Sequence, residues 1–311
     1  MRLHLNTPLL AAPYLAREGQ QVWLKMDALQ PSGSFKTRGV GFACQAYQAR
    51  GAKRLVSSSG GNAGLAVAYS GRRLGLPVVV VVPETTTSRA IELIRQQGAE
   101  VQIVGENWNA AHAHAMQLLD EHSAYIHPFD DPLLWQGHAS LIEEVAEAGV
   151  QPDAVVLSVG GGGLLCGVVQ GLQAQGWQVP IYAMETAGAA SLALAAEQGP
   201  EASLAAINSI ATSLGAKQVA AQAYRYLQDY PIHPCQVTDA QALAACQRFL
   251  DDQRVLVEPA CGASLAALYQ GLPELADKRS VLVVVCGGAG VSLAQLAQWT
   301  SASIACSGTL P

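Results

Sequence analysis

The chain has 311 residues, of which 50% are hydrophobic and 14% are charged, so it can bury a large core and does not have the composition of a disordered chain. Its formal net charge is -6 at pH 7, and lysine and arginine form no cluster, which excludes the basic surface of a protein that binds nucleic acid or an anionic membrane. These properties predict one compact, two-lobed body of enzyme size whose partner is a small molecule.

The seven cysteines are an odd number, are scattered and form no C-x-x-C pair. This pattern indicates reduced thiols rather than a disulfide framework or a zinc site. The segment MRLHLNTPLL has no apolar run long enough for a signal peptide, and the apolar runs at 78–82 and 281–286 are too short to span a bilayer. We therefore expect a cytoplasmic protein without a membrane segment.

Strand-like and helix-like patterns alternate through the first half of the chain. A strand at 22–26 leads through a turn to a helix that begins near Lys36. Then come a strand at 54–57, a helix at 63–74, a strand at 78–82, a helix at 88–97, a strand at 101–104 and a helix at 110–122.

The segment 129–138, rich in turn formers and aromatic residues, predicts a crossing between two lobes. After it we expect a helix at 139–148, a strand at 154–159, a helix ending near 175, a strand at 180–184, several helices and a last strand at 281–286. Small polar residues after about Trp299 predict a loosely ordered tail. The repeated βα pattern predicts an α/β fold of two lobes, each an open, mostly parallel sheet flanked by helices.

One lysine stands at the start of the first long helix. In PSGSFKTRG, residues 31–39, a turn built from glycine and serine is followed by Lys36 and then by apolar residues at near-helical spacing. Lysine is mostly exposed in proteins, so a solvated lysine in the first helical turn is one interpretation. The other is a Schiff-base lysine, whose amine attacks an aldehyde when desolvation lowers its pKa.

Three glycine-rich turns follow predicted strands. The first, SSSGGNAG at 57–64, precedes a helix and can direct backbone N–H groups at a carboxylate. The second, GGGG at 160–163, follows an apolar strand and is suited to binding a phosphate through main-chain donors. The third, CGGAG at 286–290, ends a buried strand and can offer the Cys286 thiol to a ring at the sheet edge.

Other kinds of site fit these motifs less well. A dinucleotide site would need glycine at position 165, where the chain has leucine, although Glu185 is suitably placed for a ribose hydroxyl. A P-loop fails because Phe35 precedes Lys36, and no G-x-S-x-G motif occurs. His112 and His114 are two apart on a predicted helix, which is more typical of surface histidines than of metal ligands.

A lysine that forms an imine, a glycine bed for a phosphate and a partner for a ring nitrogen are what pyridoxal phosphate requires. The motifs PSGSFKTRG, SSGGNAG, FDDPLLWQGH, GGGGLLCGVVQGLQ, EPACGAS and VVCGG resemble the fold-type-II, tryptophan-synthase-β-like enzymes that depend on pyridoxal phosphate. The resemblance is most specific to the short L-serine dehydratases (serine/threonine ammonia-lyases), and it covers nearly the whole chain in the same order. It favours the Schiff-base interpretation of Lys36.

The resemblance implies roles for residues that bind the cofactor. Lys36 is expected to form the Schiff base and later to act as the base at the substrate Cα. The other expected cofactor contacts are Phe35 against the ring, Asn62 at the phenolic oxygen, Cys286 at the ring nitrogen, and Gly160, Gly161, Gly162, Gly163 and Leu164 at the phosphate.

The resemblance also implies a substrate site and an ion site. The loop Ser59, Gly60, Gly61, Asn62 and Ala63 is expected to hold the substrate carboxylate. A monovalent cation, potassium in most of the family, is expected at Glu185, Ala189, Ser191, Leu214 and Ala216, mostly through backbone oxygens.

The implied activity is β-elimination from L-serine, and from L-threonine too, which gives pyruvate or 2-oxobutyrate and ammonia. A mainly threonine-directed lyase is one alternative. A catalytically weak protein that binds pyridoxal phosphate or an amino acid is another, because Gly60 stands where some dehydratases have alanine. Serine racemases of this group carry serine there, so racemisation lacks its second proton carrier.

The resemblance further implies a homodimer and a division into two lobes. We expect residues 1–36 and 132–311 to form the large cofactor-binding lobe and residues 37–131 to form a small, mobile lobe that carries the substrate loop.

Overall fold

The computed structural model describes residues 2–307. Ten strands occur in this range: β1 (Leu9–Ala11), β2 (Gln21–Lys25), β3 (Arg54–Ser57), β4 (Val78–Val82), β5 (Glu100–Ile103), β6 (Ser123–Tyr125), β7 (Ala154–Ser158), β8 (Ile181–Thr186), β9 (Ile232–Val237) and β10 (Ser280–Val284). The same range contains eleven α-helices: α1 (Lys36–Ala49), α2 (Asn62–Leu74), α3 (Ser88–Gln96), α4 (Trp108–Gln117), α5 (Pro132–Glu147), α6 (Gly163–Ala174), α7 (Ser191–Gln198), α8 (Ala221–Asp229), α9 (Asp239–Gln253), α10 (Pro259–Tyr269) and α11 (Leu293–Ser307).

The strands form two sheets. The larger sheet has the order β1-β2-β10-β7-β8-β9, in which β1 is antiparallel to β2 and the other neighbours are parallel. The smaller sheet has the order β5-β4-β3-β6 and is parallel throughout. The predicted α/β class with two open, mostly parallel sheets is confirmed.

The central strands β4 and β7 are buried along their whole length because helices cover the sheets. All five residues of β4 and all five of β7 are buried. Parallel strands joined by helical crossovers have this pattern, since neither face meets water. The helix α5 packs against α1 and α6, and α2 packs against α1, so α1 is enclosed between helices of both sheets.

The topology brings the predicted functional turns together. Strands β2, β10 and β7 are neighbours and run parallel, so their carboxyl ends lie at one edge of the larger sheet. The chain segments that follow them carry Lys36, Cys286 and residues 160–163, respectively. The carboxyl edge of a parallel sheet is where ligands bind in folds of this kind.

The helix predicted at 139–148 begins earlier than expected, within the segment 129–138 that was predicted to cross between the two lobes. The helix α5 begins at Pro132 rather than near residue 139. Asp131 is the N-cap residue, its side chain accepts a hydrogen bond from the N–H of Leu133, and proline is favoured at the first helical position. The aromatic residues of this segment therefore lie on a regular helix.

Three strands were not predicted: β1, β6 and β9. Two of them have only three residues, which is too short for an alternating pattern. The third, β9, has the sequence IHPCQV and contains Pro234. It lies at an edge of the larger sheet, where a proline can be accommodated because one side of the strand needs no partner.

The expectation of a loose tail after Trp299 is wrong up to residue 307, because α11 continues through Ser307. The predicted tail residues 308–311 lie outside the described part of the chain. Among residues 2–307, no helix combines the length and the apolar character that crossing a bilayer would need.

A cluster of buried charges ties the start of α1 to the rest of the larger sheet. Arg38 donates hydrogen bonds to Asp27 and to Glu144, and Lys25 donates to Glu144 at 2.6 Å. Thr7, from the segment before β1, donates its hydroxyl hydrogen to Asp27 at 2.7 Å. The Arg38 cluster, as we call these five residues, holds the helix on which the predicted catalytic lysine lies.

Candidate active site

Lys36 is the first residue of α1, and its amine faces protein groups. Its Nζ donates a hydrogen bond to the carbonyl oxygen of Pro128 at 2.5 Å. Burial lowers the pKa of Lys36 to about 8, although Cys286 and Glu258 act in the opposite direction. An amine with this pKa is neutral, and so nucleophilic, far more often near neutral pH than an ordinary lysine. The interpretation of Lys36 as a solvated surface lysine is not supported.

The turn before α1 and the loop after β10 are held together by backbone hydrogen bonds. The N–H of Phe35 donates to the carbonyl oxygen of Cys286 at 3.0 Å, and the N–H of Gly288 donates to that of Gly33 at 2.8 Å. Gly287 has a φ of +87°, and a Cβ atom there would lie 2.5 Å from the Gly33 oxygen. Glycine is therefore needed for this close approach, which brings the lysine of α1 near the cysteine.

Cys286 is 5% exposed and lies beside a second thiol. Its hydrogen bond with Cys261, together with burial and the nearby carboxyl of Glu258, raises the pKa of Cys286 well above its usual value. The thiol is therefore neutral at physiological pH. A neutral thiol is a weak hydrogen-bonding partner, which fits the role predicted for Cys286 at a ring nitrogen.

The aromatic ring of Phe35 lies beside the amine of Lys36. The Lys36 Nζ is 5.0 Å from the centre of the Phe35 ring, and that ring is 5.0 Å from the ring of His138, which is fully buried. The position of Phe35 is compatible with packing against a planar ring bound to the lysine.

The predicted substrate loop, residues 59–63, joins β3 to α2. The N–H of Gly61 donates to the Ser59 hydroxyl at 3.4 Å, Asn62 is the first residue of α2, and Ala63 is buried in its first turn. The first N–H groups of a helix have no partner within that helix and carry partial positive charge. The loop can therefore bind an anionic group such as a carboxylate.

Gly60 is packed against the end of the neighbouring strand β4 and the turn that follows it. A Cβ atom at Gly60 would lie 2.6 Å from Cγ2 and 2.9 Å from Oγ1 of Thr86. It would also lie 3.2 Å from Cγ1 of Val82. The space that alanine would take at this position is thus filled by Thr86, so the glycine does not leave a gap in the loop.

Asn62 reaches from the substrate loop to the larger sheet. Its Nδ2 donates to Oε1 of Glu258 at 2.7 Å and lies 3.2 Å from the Ser213 hydroxyl, and its Oδ1 accepts from the N–H of Ala289 at 3.0 Å. Through these contacts Asn62 lies close to the loop that carries Cys286. The structure therefore brings the predicted substrate loop to the predicted cofactor residues.

The tetraglycine loop, residues 160–163, lies between β7 and α6. A Cβ atom at Gly161 would come within 2.3 Å of the Phe129 ring, and one at Gly163 within 2.6 Å of the Phe129 oxygen. Gly162, the N-cap residue of α6, has a φ of +87°. Because side chains are excluded, the loop can offer only its backbone, and its N–H groups at a helix N-terminus suit a phosphate. Leu164 lies in the first turn of the same helix.

The chain segment before α5 links this loop to the lysine. Phe129 packs on the tetraglycine loop, and Pro128, the residue before it, accepts the hydrogen bond from Lys36. The predicted lysine and the predicted phosphate loop thus contact neighbouring residues. The site can bind a pyridoxal phosphate molecule, because it combines an amine, a loop suited to a phosphate, an aromatic ring and a neutral thiol.

Two residues of the predicted cation site, Ser191 and Leu214, lie against the tetraglycine loop. The Ser191 hydroxyl donates to the carbonyl oxygen of Gly160 at 3.2 Å, and a Cβ atom at Gly160 would lie 3.0 Å from Cα of Leu214. Ala189 is fully buried in the turn before α7, and the N–H of Ala216 donates to the Leu214 oxygen at 2.8 Å. Hydroxyl and carbonyl oxygens are the ligands that hard monovalent cations take.

Glu185 is fully buried at the end of β8. Burial raises the pKa of Glu185 to about 7, although its two oxygens accept hydrogen bonds from the N–H groups of Leu192 and Ala193. Both oxygens face the N-terminus of α7, which does not suit a contact with ribose. This geometry disfavours the dinucleotide interpretation that the sequence left open.

Two residues of the site were missed in the sequence. Glu258 is the N-cap residue of α10, yet its side chain makes no capping hydrogen bond and instead accepts from Asn62. His127 accepts hydrogen bonds at Nδ1 from the N–H groups of Phe129 and Asp130, so its ring proton is on Nε2. Burial, followed by the charge of Lys36, lowers the pKa of His127 to about 4. The signal for Glu258 was the motif EPACGAS, which supported the family resemblance without assigning a role to this residue.

His112 and His114 have separate partners, the hydroxyl of Tyr125 at 3.0 Å and the side chain of Gln102 at 2.9 Å. Across residues 2–302, whose side chains the structure describes, no three His, Cys, Asp or Glu residues form a group that could hold a metal ion.

The chain is similar to known proteins over nearly its whole length. The family model described as "Pyridoxal-phosphate dependent enzyme" matches residues 1–287. A human protein named L-serine dehydratase/L-threonine deaminase is 48% identical over 307 residues, which covers 94% of each chain. A mouse protein named serine dehydratase-like is 48% identical over 305 residues, which covers 94% of this chain and 93% of the relative. The solved structure of an L-serine ammonia-lyase from the fungus Rhizomucor miehei superposes with a TM-score of 0.90 at 39% identity, and the match covers 97% of this chain and 99% of that one.

Proposed function

The chain belongs to the family of pyridoxal-phosphate dependent enzymes, and from this membership we propose that it is a lyase that deaminates L-serine, and also L-threonine. The products are pyruvate or 2-oxobutyrate, with ammonia. The names of relatives that match over nearly the whole chain support this proposal. The observation that carries it is the enclosed amine of Lys36, which lies near both the Cys286 thiol and the Glu258–Asn62 contact.

The residues of the chain then have defined tasks. Bound at this site, pyridoxal phosphate supplies a ring that accepts the negative charge left on the substrate Cα when its proton is removed. The Lys36 amine, with its lowered pKa, removes that proton. The N–H groups of the tetraglycine loop bind the phosphate, and the substrate loop binds the substrate carboxylate.

Cys286 favours elimination over competing reactions at the same carbon. Its thiol is neutral and shares its hydrogen bond with Cys261, so it does not keep a ring nitrogen protonated as a carboxylate does. A less electron-poor ring stabilises negative charge at Cα more weakly, which favours prompt loss of the β-hydroxyl. Gly60 has no side-chain proton carrier, so reprotonation from the opposite face is not supported.

The test is turnover by the purified protein supplied with pyridoxal phosphate and potassium chloride. We expect L-serine to give pyruvate and ammonia in equal amounts and L-threonine to give 2-oxobutyrate, while D-serine as the control gives neither. The ratio of kcat/KM for the two L-amino acids then decides between a serine-directed and a threonine-directed lyase. A yellow cofactor complex without any 2-oxo acid would contradict the proposal and favour a binding protein.

We also propose that a potassium ion binds beside the phosphate loop through Glu185, Ser191 and the backbone oxygens of Ala189, Leu214 and Ala216. The support is the family resemblance and a buried carboxyl whose pKa is raised to about 7 by burial. The unfolded chain releases the proton of this carboxyl near pH 4.5, whereas the folded chain holds it up to about pH 7. The protein therefore becomes less stable as the pH rises from 4.5 to about 7. A bound cation offsets this loss, since it favours the ionised form.

Potassium should therefore stabilise the protein more at pH 8 than at pH 6. At pH 6 a carboxyl with a pKa of about 7 is mostly protonated, so we expect potassium to bind roughly tenfold more weakly than at pH 8. Thermal unfolding in potassium chloride, with tetramethylammonium chloride at equal ionic strength as the control, measures this difference. Glu185→Gln should remove it. An equal shift in both salts, or at both pH values, would rule out the site.

We further propose that the protein is a cytoplasmic homodimer, with a large lobe of residues 1–36 and 132–311 and a small lobe of residues 37–131. The family resemblance supports the dimer. The free thiols of the six cysteines whose side chains the structure describes are compatible with a reducing compartment. The four strands of the smaller sheet lie between residues 54 and 125, which is compatible with the proposed lobes.

A further inference from the structure

Glu258 is a buried carboxyl that the proposed mechanism does not use. It is 6% exposed and directly precedes Pro259, at the start of α10. A Cβ atom at Gly288 would lie 2.0 Å from its carboxyl carbon, so the loop after β10 packs directly on it. Its Oε1 accepts the hydrogen bond from Asn62 at 2.7 Å. Burial raises the pKa of Glu258 to about 7, while Ser213, Asn62 and the charge of Lys36 act to lower it.

The contacts of Asn62 determine which end of its amide group faces which neighbour. Its Oδ1 accepts from the N–H of Ala289, which can only donate, and its Nδ2 donates to Glu258. A flipped amide would set Nδ2 against the N–H of Ala289 and Oδ1 against the carboxyl oxygen. Both contacts would then be lost or repulsive, so the observed orientation is strongly preferred.

This orientation leaves one hydrogen of Nδ2 beyond the bond to Glu258. In the structure Nδ2 donates that hydrogen to the Ser213 hydroxyl at 3.2 Å. This bond is longer than the 2.7 Å bond to Glu258, so the Ser213 hydroxyl is the partner that a ligand oxygen can displace. The second hydrogen is the donor that an acceptor oxygen of a bound ligand can use.

We propose that Glu258 is a positioning residue of this site: it holds the Asn62 amide so that Nδ2 is presented to the phenolic oxygen of the cofactor. The inference rests on the proposed function, because it takes pyridoxal phosphate as the ligand. It also explains why a carboxyl is buried beside a lysine without pairing with it directly. The same contact ties the first turn of α2, and with it the substrate loop, to the larger sheet.

Two variants of Glu258 distinguish the effect of its side-chain length from the effect of its negative charge. Glu258→Gln keeps the length and an acceptor oxygen but removes the charge, whereas Glu258→Asp keeps the charge and is one methylene too short to reach Asn62. If Glu258 positions Asn62, the glutamine variant retains cofactor affinity within about threefold, and the aspartate variant loses roughly tenfold, the effect of one hydrogen bond. If Glu258 instead acts through its charge on Lys36, this order is reversed.

The measurement is the dissociation constant of pyridoxal phosphate from the full-length protein, followed by the quenching of tryptophan fluorescence and by the absorbance maximum of the bound cofactor. Asn62→Ala should weaken binding as Glu258→Asp does, and the double variant should be no weaker than either single one, because the two residues act together. Glu274→Gln, an exposed site in the turn before β10, is the control. Additive losses in the double variant, or unchanged affinity in Glu258→Asp, would overturn the proposal.

The outcomes separate this inference from the proposed function. If the unaltered protein forms no pyruvate but the order of affinities holds, the proposed reaction fails and the role of Glu258 stands. If it is active and the aspartate variant binds as tightly as the glutamine variant, only the role of Glu258 is lost.

Discussion

With alanine in place of Lys36, turnover of L-serine should fall by more than roughly a thousandfold, and the yellow colour of the bound cofactor should disappear. The variant has neither an amine to join the aldehyde nor a base at the substrate Cα. Lys25 cannot replace it, because its Nζ is hydrogen-bonded to Glu144 and to the Thr7 carbonyl oxygen, each at 2.6 Å. Steady-state kinetics and the absorbance spectrum measure the two losses separately.

Two controls make this result specific. Lys36→Arg keeps the positive charge but cannot condense with an aldehyde, so it should be as inactive as Lys36→Ala while retaining the fold by circular dichroism. Lys53→Ala removes an exposed lysine outside the site and should leave kcat unchanged. Pyruvate formation by Lys36→Ala at more than a few per cent of the normal rate would show that another group removes the proton.

The second large effect concerns stability. Glu144→Gln should lower the free energy of unfolding by about 3–5 kcal/mol, because it leaves two buried cations with a single carboxylate. In the Arg38 cluster, Glu144 accepts hydrogen bonds from Lys25 at 2.6 Å and from both terminal nitrogens of Arg38 at 2.7 Å. Denaturant unfolding, followed by circular dichroism with and without cofactor, measures the change.

The neighbouring Glu143 provides the matched control. Its side chain is 46% exposed and lies 4.0 Å from Arg2, so Glu143→Gln should change stability by less than about 0.5 kcal/mol. Burial would raise the pKa of Glu144, but Arg38 and Lys25 outweigh it and lower that pKa below 4.5. The stabilisation is therefore present above pH 4.5 and is lost as pH falls through the lowered pKa. Equal effects of the two substitutions would show that the cluster adds no stability.

The loss expected for Glu144→Gln also bears on the site. Arg38 lies two residues after Lys36, and its partners come from α5 and from the turn after β2. A weakened cluster should therefore loosen the start of α1. We expect the variant to bind pyridoxal phosphate more weakly, in addition to unfolding more easily.

The fold class and the short segments that form the candidate site could be predicted because they depend on local sequence. Glycine runs after apolar strands, a lysine at a helix start and near-continuous valine strands are each visible within a few residues. The family membership, which the resemblance of whole motifs implied, is confirmed. The misplaced start of α5 has a local cause as well, since the N-cap at Asp131 and the following proline were present in the sequence. The strand β9 was missed because its edge position is a property of the whole sheet.

Sequence alone determined which chemical groups the protein has and which short segments present them: an amine, a bare glycine backbone, a thiol and an asparagine at a helix start. Only the tertiary structure decided how these groups affect one another. The amine of Lys36 loses its ordinary pKa through burial, and Asn62 contacts Glu258, 196 residues further along the chain, because two sheets meet at that point. Desolvation and hydrogen-bond geometry depend on distances in space, and spacing along the chain does not specify them.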